Sequence, residues 1–232
     1  MADRYIRNRE LISEVEQIRL KSITVAVTGL GGLGGYISEE LARLGFGRLI
    51  LIDSDLVDES NLNRQFFATE KNIGKPKSHE AEERLKMVNS EVKYICHSTR
   101  LNEENAEEIL SNADIVFDAV DNISTRFLLQ KICKKLNIPL VHGAIGGWYG
   151  QVSFIAPGDD TLNLIYNDET TQGIEKSLGN PAFTPPIIAS IEVAEGLKYI
   201  LGKGELLRRK LLYIDLLTQN YMIINLDESQ TD

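Results

Sequence analysis

Apolar residues in the first 145 positions come in short unbroken runs, and helix-period stretches lie between them. "SITVAVTG" (22–29), "RLILIDSD" (48–55), "VKYICHS" (92–98), "DIVFDAVD" (114–121) and "PLVHGAI" (139–145) are the runs. Each is four to eight residues of mostly β-branched or large aliphatic side chains, which predicts strands covered on both faces. Between them, "GGYISEELARLGFG", "KPKSHEAEERLKMVN", "NEENAEEILSN" and "ISTRFLLQKICKKLN" predict helices. The first of these is stopped by Gly45 and Gly47. Alternation of this kind predicts an α/β fold with a doubly wound, mostly parallel sheet. Residues 3–22 read as an amphipathic N-terminal helix, with Ile6, Leu11, Val15 and Ile18 at roughly helical spacing.

The pattern changes after residue 146. "GQVSFIAPGDD" predicts a strand with one exposed side, and residues 157–184 are polar and aperiodic, as in a long mobile loop with short helical pieces. "PPIIASIEVAEGLKYILG" resumes as a helix, with proline at its start and Gly202 at its end. "KLLYIDLLTQNYMIINL" predicts a hairpin turning near Thr218-Gln219-Asn220, which extends the sheet with antiparallel strands. The expected organisation is one domain over 1–232, with a helical arm (1–22), a βαβ half (23–146) and an antiparallel half (147–232).

Composition narrows the function classes. The chain has 232 residues, 43% of them hydrophobic, with 25 Lys+Arg against 34 Asp+Glu and a net charge of −9. That balance argues against nucleic acid as a partner. No stretch reaches the roughly 20 apolar residues of a membrane span, and "MADRYIRNRE" lacks an apolar signal core. Two cysteines, Cys96 and Cys133, fall in a strand and on a helix's apolar face. They are expected to pack as small hydrophobes in a cytoplasmic protein.

The first strand, turn and helix carry Gly29-x-Gly31-x-x-Gly34, and Asp53 ends the next strand. Glycines at this junction can also serve packing alone. Here the strand before, the helix after and the following acid favour a nucleotide: phosphates at the helix N-terminus, ribose hydroxyls at Asp53. NAD and ATP both meet that description. The loop "DESNLNRQFF" adds Asn61, Asn63, Arg64 and Gln65, and "IGKPK" adds Lys75 and Lys77 at a helix start. Cationic side chains suit a triphosphate better than a dinucleotide. "FDAVDN" puts Asp118 and Asp121 near the same crevice. A carboxylate there needs a bridging cation such as Mg²⁺, although Asp121 or Asn122 could equally cap the next helix. His79, His97 and His142 read as structural or exposed, without a convincing partner.

"GLGGLG", "LIDSD", "SNLNRQ", "GKPK" and "DAVDN", in this order, resemble the MoeB/ThiF/HesA family, bacterial relatives of ubiquitin-activating enzymes. "RYIRN" near the start and "LYIDLLTQNYMIINL" near the end also match, so the resemblance spans nearly the whole chain. It implies a Rossmann-like fold and Mg-ATP-dependent adenylation of the C-terminal glycine carboxylate of a ubiquitin-like sulfur carrier ending in Gly-Gly. It implies that Gly29, Gly31, Gly32, Asp53 and Asp55 hold the nucleotide, with Ser60, Asn61, Asn63, Arg64 and Gln65 lining the ATP site. Lys77 would neutralise the triphosphate, and Asp121, with Asn122 beside it, would bind Mg²⁺. Arg7 matches an arginine that reaches the partner subunit's site, which implies a homodimer. The catalytic set is then Arg7, Arg64, Lys77 and Asp121. A tRNA-modifying dehydratase of the same family, an NAD-dependent oxidoreductase and a non-catalytic binding module are the alternatives.

The chain departs from the family in its cysteines. Where many members carry two CxxC pairs for structural zinc, this chain has "TLNLIY" after "APGDD" and no pair after "IINLDE". No zinc is expected. Residues 157–190 also lack the cysteine with which some members relay sulfur or form a thioester. The reaction is therefore expected to stop at the acyl-adenylate, with sulfur coming from a separate donor protein. Trp148 and Tyr149 of "IGGWYGQ" are candidates to line a path for the carrier tail or to pack under the crossover loop, and the loop at 157–184 is a candidate to close over it.

Overall fold

The computed structural model describes residues 3–166 and 178–226. The strands are β1 (Thr24–Thr28), β2 (Arg48–Ile52), β3 (Lys93–His97), β4 (Ile115–Asp118), β5 (Leu140–Gly146), β6 (Tyr149–Ile155), β7 (Lys210–Asp215) and β8 (Asn220–Asn225). They form one sheet in the order β3-β2-β1-β4-β5-β6-β7-β8. Pairing is parallel from β3 to β5 and antiparallel from β5 to β8.

The unbroken apolar runs serve two cores at once. Val25, Val27, Leu49, Leu51, Ile115, Phe117 and Val141 face one core; Ala26, Ile50, Ile52, Val116 and Leu140 face the other. Period-two alternation thus survives inside an unbroken apolar run. Helices α2 (Gly32–Leu44), α3 (Lys77–Val88) and α7 (Thr184–Leu201) cover the first face. The short α4 (Ala106–Leu110), α5 (Ile123–Leu136) and the single turn α6 (Leu162–Ile165) cover the second.

The N-terminal arm differs from the expected single helix. It is a 3₁₀ segment (Asp3–Asn8) followed by α1 (Glu14–Leu20). Ser13 restarts the chain through a capping box with Glu16: its N–H donates to Glu16 Oε2 at 2.7 Å. The break shifts the helical phase. Tyr5, Ile12 and Leu20 are buried, whereas the Ile6, Leu11, Val15 and Ile18 stripe faces solvent. Two smaller differences have local causes. Asn102 Oδ1 accepts the N–H groups of Glu104 and Asn105, so "NEEN" is a capping turn and α4 begins later. The hairpin turn occupies Leu216–Gln219, held by Asp215 accepting from Leu217 and Thr218, and Asn220 already belongs to β8.

Candidate active site

The parallel strands end together at one edge of the sheet. Strand β1 pairs β2 on one side and β4 on the other, so the connections diverge there and leave a crevice. The cleft has a volume of about 630 Å³, a size that suits a nucleotide.

The glycine turn forms its floor. Gly29 has φ of 88°, which a side chain would strain. A Cβ on Gly34 would overlap the Gly29 carbonyl, so the helix start can fold back this tightly only with glycine. Gly31 caps α2 without any side-chain hydrogen bond. The first N–H groups of the helix therefore face the cleft without a helical acceptor. Asp53 fixes the turn from the neighbouring strand. Its Oδ2 accepts the Leu30 N–H at 2.7 Å and its Oδ1 the Asp55 N–H at 2.8 Å. Burial pushes its carboxyl above the usual range, against the opposing pull of Lys77 and these two N–H groups.

The cations stand on the far wall. Lys77, at the start of α3, is buried, and its ammonium lies 3.0 Å from Asp55 Oδ2. Arg64 Nη1 donates to the Ser60 carbonyl at 2.9 Å and to Asn63 Oδ1 at 2.8 Å. Lys75 instead points to Glu80.

Of the residues singled out from sequence, Gly29, Gly31, Gly32, Asp53, Asp55, Arg64, Gln65, Lys77, Asp121 and Asn122 line this cleft. Ser60, Asn61 and Asn63 lie beside it, in the turn that carries Arg64. Asn61 closes a capping box with Asp58, whose N–H donates to Asn61 Oδ1 at 3.0 Å. Arg7 is exposed at the end of the 3₁₀ segment and does not line its own chain's cleft. Residues 167–177, within the stretch expected as a loop from sequence, and the positions after Leu226 lie outside the described residues.

The two acids at the end of β4, Asp118 and Asp121, separate. Asp118 is fully buried and is not among the lining residues. It lies 2.7 Å from His142 Nδ1, and His142 Nε2 lies 3.1 Å from the Tyr166 hydroxyl. His142 thus has a partner that its sequence context did not reveal. Asp118 faces α5 because it follows Val116 by two positions on the same face. Asn122, not Asp121, caps α5, accepting the Thr125 N–H at 2.9 Å. Asp121 stays exposed at the cleft edge. Among the described residues no three His, Cys, Asp or Glu side chains converge as a metal site. One exposed carboxylate beside the α2 N-terminus nevertheless fits Mg²⁺, which takes most of its oxygens from phosphate and water.

The structure adds Thr99, Arg100 and Leu101 after β3, Arg126 on α5, and Asn180. The β3 loop was within reach of the rule that parallel strands share a ligand edge. Asn180 lies in an aperiodic stretch and carried no signal. Arg126 Nη2 donates to the Val120 carbonyl at 2.9 Å and Nη1 to the Tyr166 hydroxyl at 3.0 Å, which steadies the turn holding Asp121. Both cysteines lie outside the cleft, and burial pushes each thiol up to about 12.

A family model described as "ThiF family" matches residues 3–232. The SAMP-activating enzyme E1 of Haloferax volcanii is 32% identical over 224 residues, covering 94% of this chain and 83% of that protein. The sulfur carrier protein adenylyltransferase of Thermus thermophilus is 36% identical over 230 residues, covering 94% and 85%. Among solved structures, that of E. coli MccB with ATP superposes with a TM-score of 0.78 at 24% identity, covering 100% of this chain and 74% of that one, a likeness of fold.

Proposed function

We propose an activity for this chain from the premise that it belongs to the ThiF family: it is an adenylyltransferase that activates the C-terminal carboxylate of a ubiquitin-like sulfur carrier with ATP. The observation that carries the reading is the convergence of the α2 N-terminus, Arg64, Lys77 and Asp121 on one cleft, with Asp53 beside the glycine turn. In this reading Asp53 takes the ribose hydroxyls. Its oxygens each accept one backbone N–H and retain a second lone pair.

The nucleophile is a carboxylate and is ionised at neutral pH, so no general base is needed. A tail carboxylate oxygen attacks the α-phosphorus, the bond to the β-phosphate oxygen breaks, and pyrophosphate leaves with that electron pair. The protein's task is to bring anions together and hold them in line. Arg64 and Lys77 neutralise the phosphates, and the N–H groups of α2 orient them. Asp121 would hold Mg²⁺, which would supply neutralisation of phosphate charge. Arg7 belongs to this machinery through a second copy: exposed on its own chain, it completes the partner's cleft in a homodimer.

The product is the acyl-adenylate. Neither thiol is suited to take it over, since Cys96 and Cys133 are both held protonated and away from the cleft. Sulfur then comes from a separate donor protein. The compartment is the cytoplasm, where ATP is supplied and two unpaired cysteines stay reduced. Mass spectrometry of a reaction with carrier and ATP tests this: carrier–AMP should accumulate with no covalent carrier–enzyme species. A thiol-sensitive adduct at Cys96 or Cys133 would overturn the assignment of the end point.

A further inference from the structure

We propose that the Asn180 side-chain amide recognises the last peptide unit of the incoming C-terminal tail and so positions its carboxylate; this deepens the adenylation reading and rests on it. Asn180 lines the cleft. Its Oδ1 is shielded from solvent and receives no hydrogen bond among the described residues. A buried acceptor without a donor costs about 1–3 kcal/mol, and such an atom in a folded protein calls for a ligand or a reason.

The backbone around Asn180 is fixed, so the amide is placed rather than loose. The Asn180 carbonyl accepts Asn63 Nδ2 at 2.9 Å. The preceding Gly179 carbonyl accepts the Gly147 N–H at 2.7 Å, and Thr184 Oγ1 donates to the Gly147 carbonyl at 2.7 Å. Asn63 presents its other end to Arg64. One asparagine thus registers the segment carrying Asn180 against the guanidinium that faces the phosphates. Pro185, at the start of α7, closes the same corner: a Cβ on Gly32 would stand 3.3 Å from its Cγ.

The chemistry of that corner selects the ligand. Phosphate oxygens are acceptors only and cannot satisfy Oδ1. Ribose hydroxyls can donate, but Asp53 claims them on the β2 side of the glycine turn. A peptide unit offers one N–H and one C=O, and a primary amide offers the complementary pair. Rotating the amide about its last bond exchanges Oδ1 and Nδ2 without changing its shape, so it can present its acceptor to a peptide N–H. The tail's final peptide is the donor that must come next to Arg64 for its carboxylate to reach the α-phosphate.

The test is pyrophosphate exchange by the full chain with a carrier ending in Gly-Gly, beside a semisynthetic carrier whose last residue is N-methylglycine. Asn180→Ala should raise KM for the Gly-Gly carrier about tenfold, the loss of one net hydrogen bond. KM for ATP should stay within about twofold. N-methylation, which removes the peptide N–H, should impair the native chain similarly and add nothing further in Asn180→Ala. Asn180→Asp should be worse than alanine, because it sets a carboxylate against a carboxylate. An unchanged carrier KM in Asn180→Ala, or additive effects of the variant and the N-methylation, overturns the proposal while the native chain's exchange keeps the adenylation reading. No exchange by the native chain with any carrier overturns both.

Discussion

The Lys77 ammonium sits 3.0 Å from Asp55 Oδ2 inside the cleft, with the lysine side chain almost fully enclosed and the aspartate two-thirds exposed. The cation proposed to neutralise the triphosphate is therefore held by an acid that can swing away into water. The pairing holds the enclosed ammonium in one place before the nucleotide arrives.

Lys77→Met should lower carrier-dependent exchange by about 10²–10³, as when one preorganised donor to a transition state is lost. Asp55→Asn should change it by less than about fivefold, because a half-exposed ion pair contributes little and its loss leaves the lysine in place. Exchange kinetics of the two purified variants would check the ranking, and equal losses would mean that Asp55 does more than hold Lys77.

Gly34→Ala and Gly32→Ala separate folding from binding. A methyl at position 34 meets the Gly29 backbone and cannot be accommodated without moving the turn. That variant should lose stability by about 1–3 kcal/mol, as overpacked sites do, together with nucleotide binding. At position 32 the methyl meets the Pro185 ring at 3.3 Å and the Arg64 Cδ at 3.9 Å, with no backbone in its way. The fold should survive there, while the backbone can no longer approach phosphate closely. Thermal unfolding alongside ATP titration distinguishes the two cases.

Glu192 is fully buried, neither carboxyl oxygen has a hydrogen-bond partner among the described residues, and it fills the space left by Gly143. Burial pushes its carboxyl well above the usual range, with Asp118 adding to the rise. An acid whose folded pKa exceeds its unfolded one favours the fold most below about pH 4.5. That contribution is lost as pH climbs from there toward the folded value. Glu192→Gln should flatten this slope and be at least as stable as the native chain at pH 7–8. The melting temperature should rise by about 2–4 °C for each kcal/mol regained. A lower melting temperature at pH 8 would show that the carboxylate is needed.

Arg7→Ala should reduce exchange by about 10–100-fold with an unchanged melting temperature, since the side chain is exposed. Co-refolding Arg7→Ala with Asp121→Ala should then recover about a quarter of native activity, because each mixed dimer regains one complete site. No recovery would remove the trans role of Arg7. The exposed Ile6, Leu11, Val15 and Ile18 lie on the same arm and make its burial against a second copy worth testing by sedimentation.

The parallel half of the fold was legible because burial on both faces leaves short unbroken apolar runs, through Val25, Leu49, Ile50 and Val116, and helix-period stretches separate them. The N-terminal arm was misread because spacing alone cannot register a break: Ser13 and Glu16 are a cap signal, and they outrank the stripe drawn through Ile6 and Val15. At the site, the motif residues after β1 and β2 were readable, since strand ends converge by rule. The separation of Asp118 from Asp121 was not. It depends on which of two neighbouring residues caps α5 and on a histidine that is 24 positions away in sequence. Asn180 was invisible for a related reason, because its place is fixed by Asn63 and Gly147 across the fold and not by any local pattern.

The most direct measurement is ATP–pyrophosphate exchange with carriers ending in Gly-Gly, run beside an NAD titration of the same preparation. Exchange that requires a carrier and vanishes in Asp121→Ala, with that variant's melting temperature unchanged, is the expected result. NAD binding with no exchange for any carrier would contradict it.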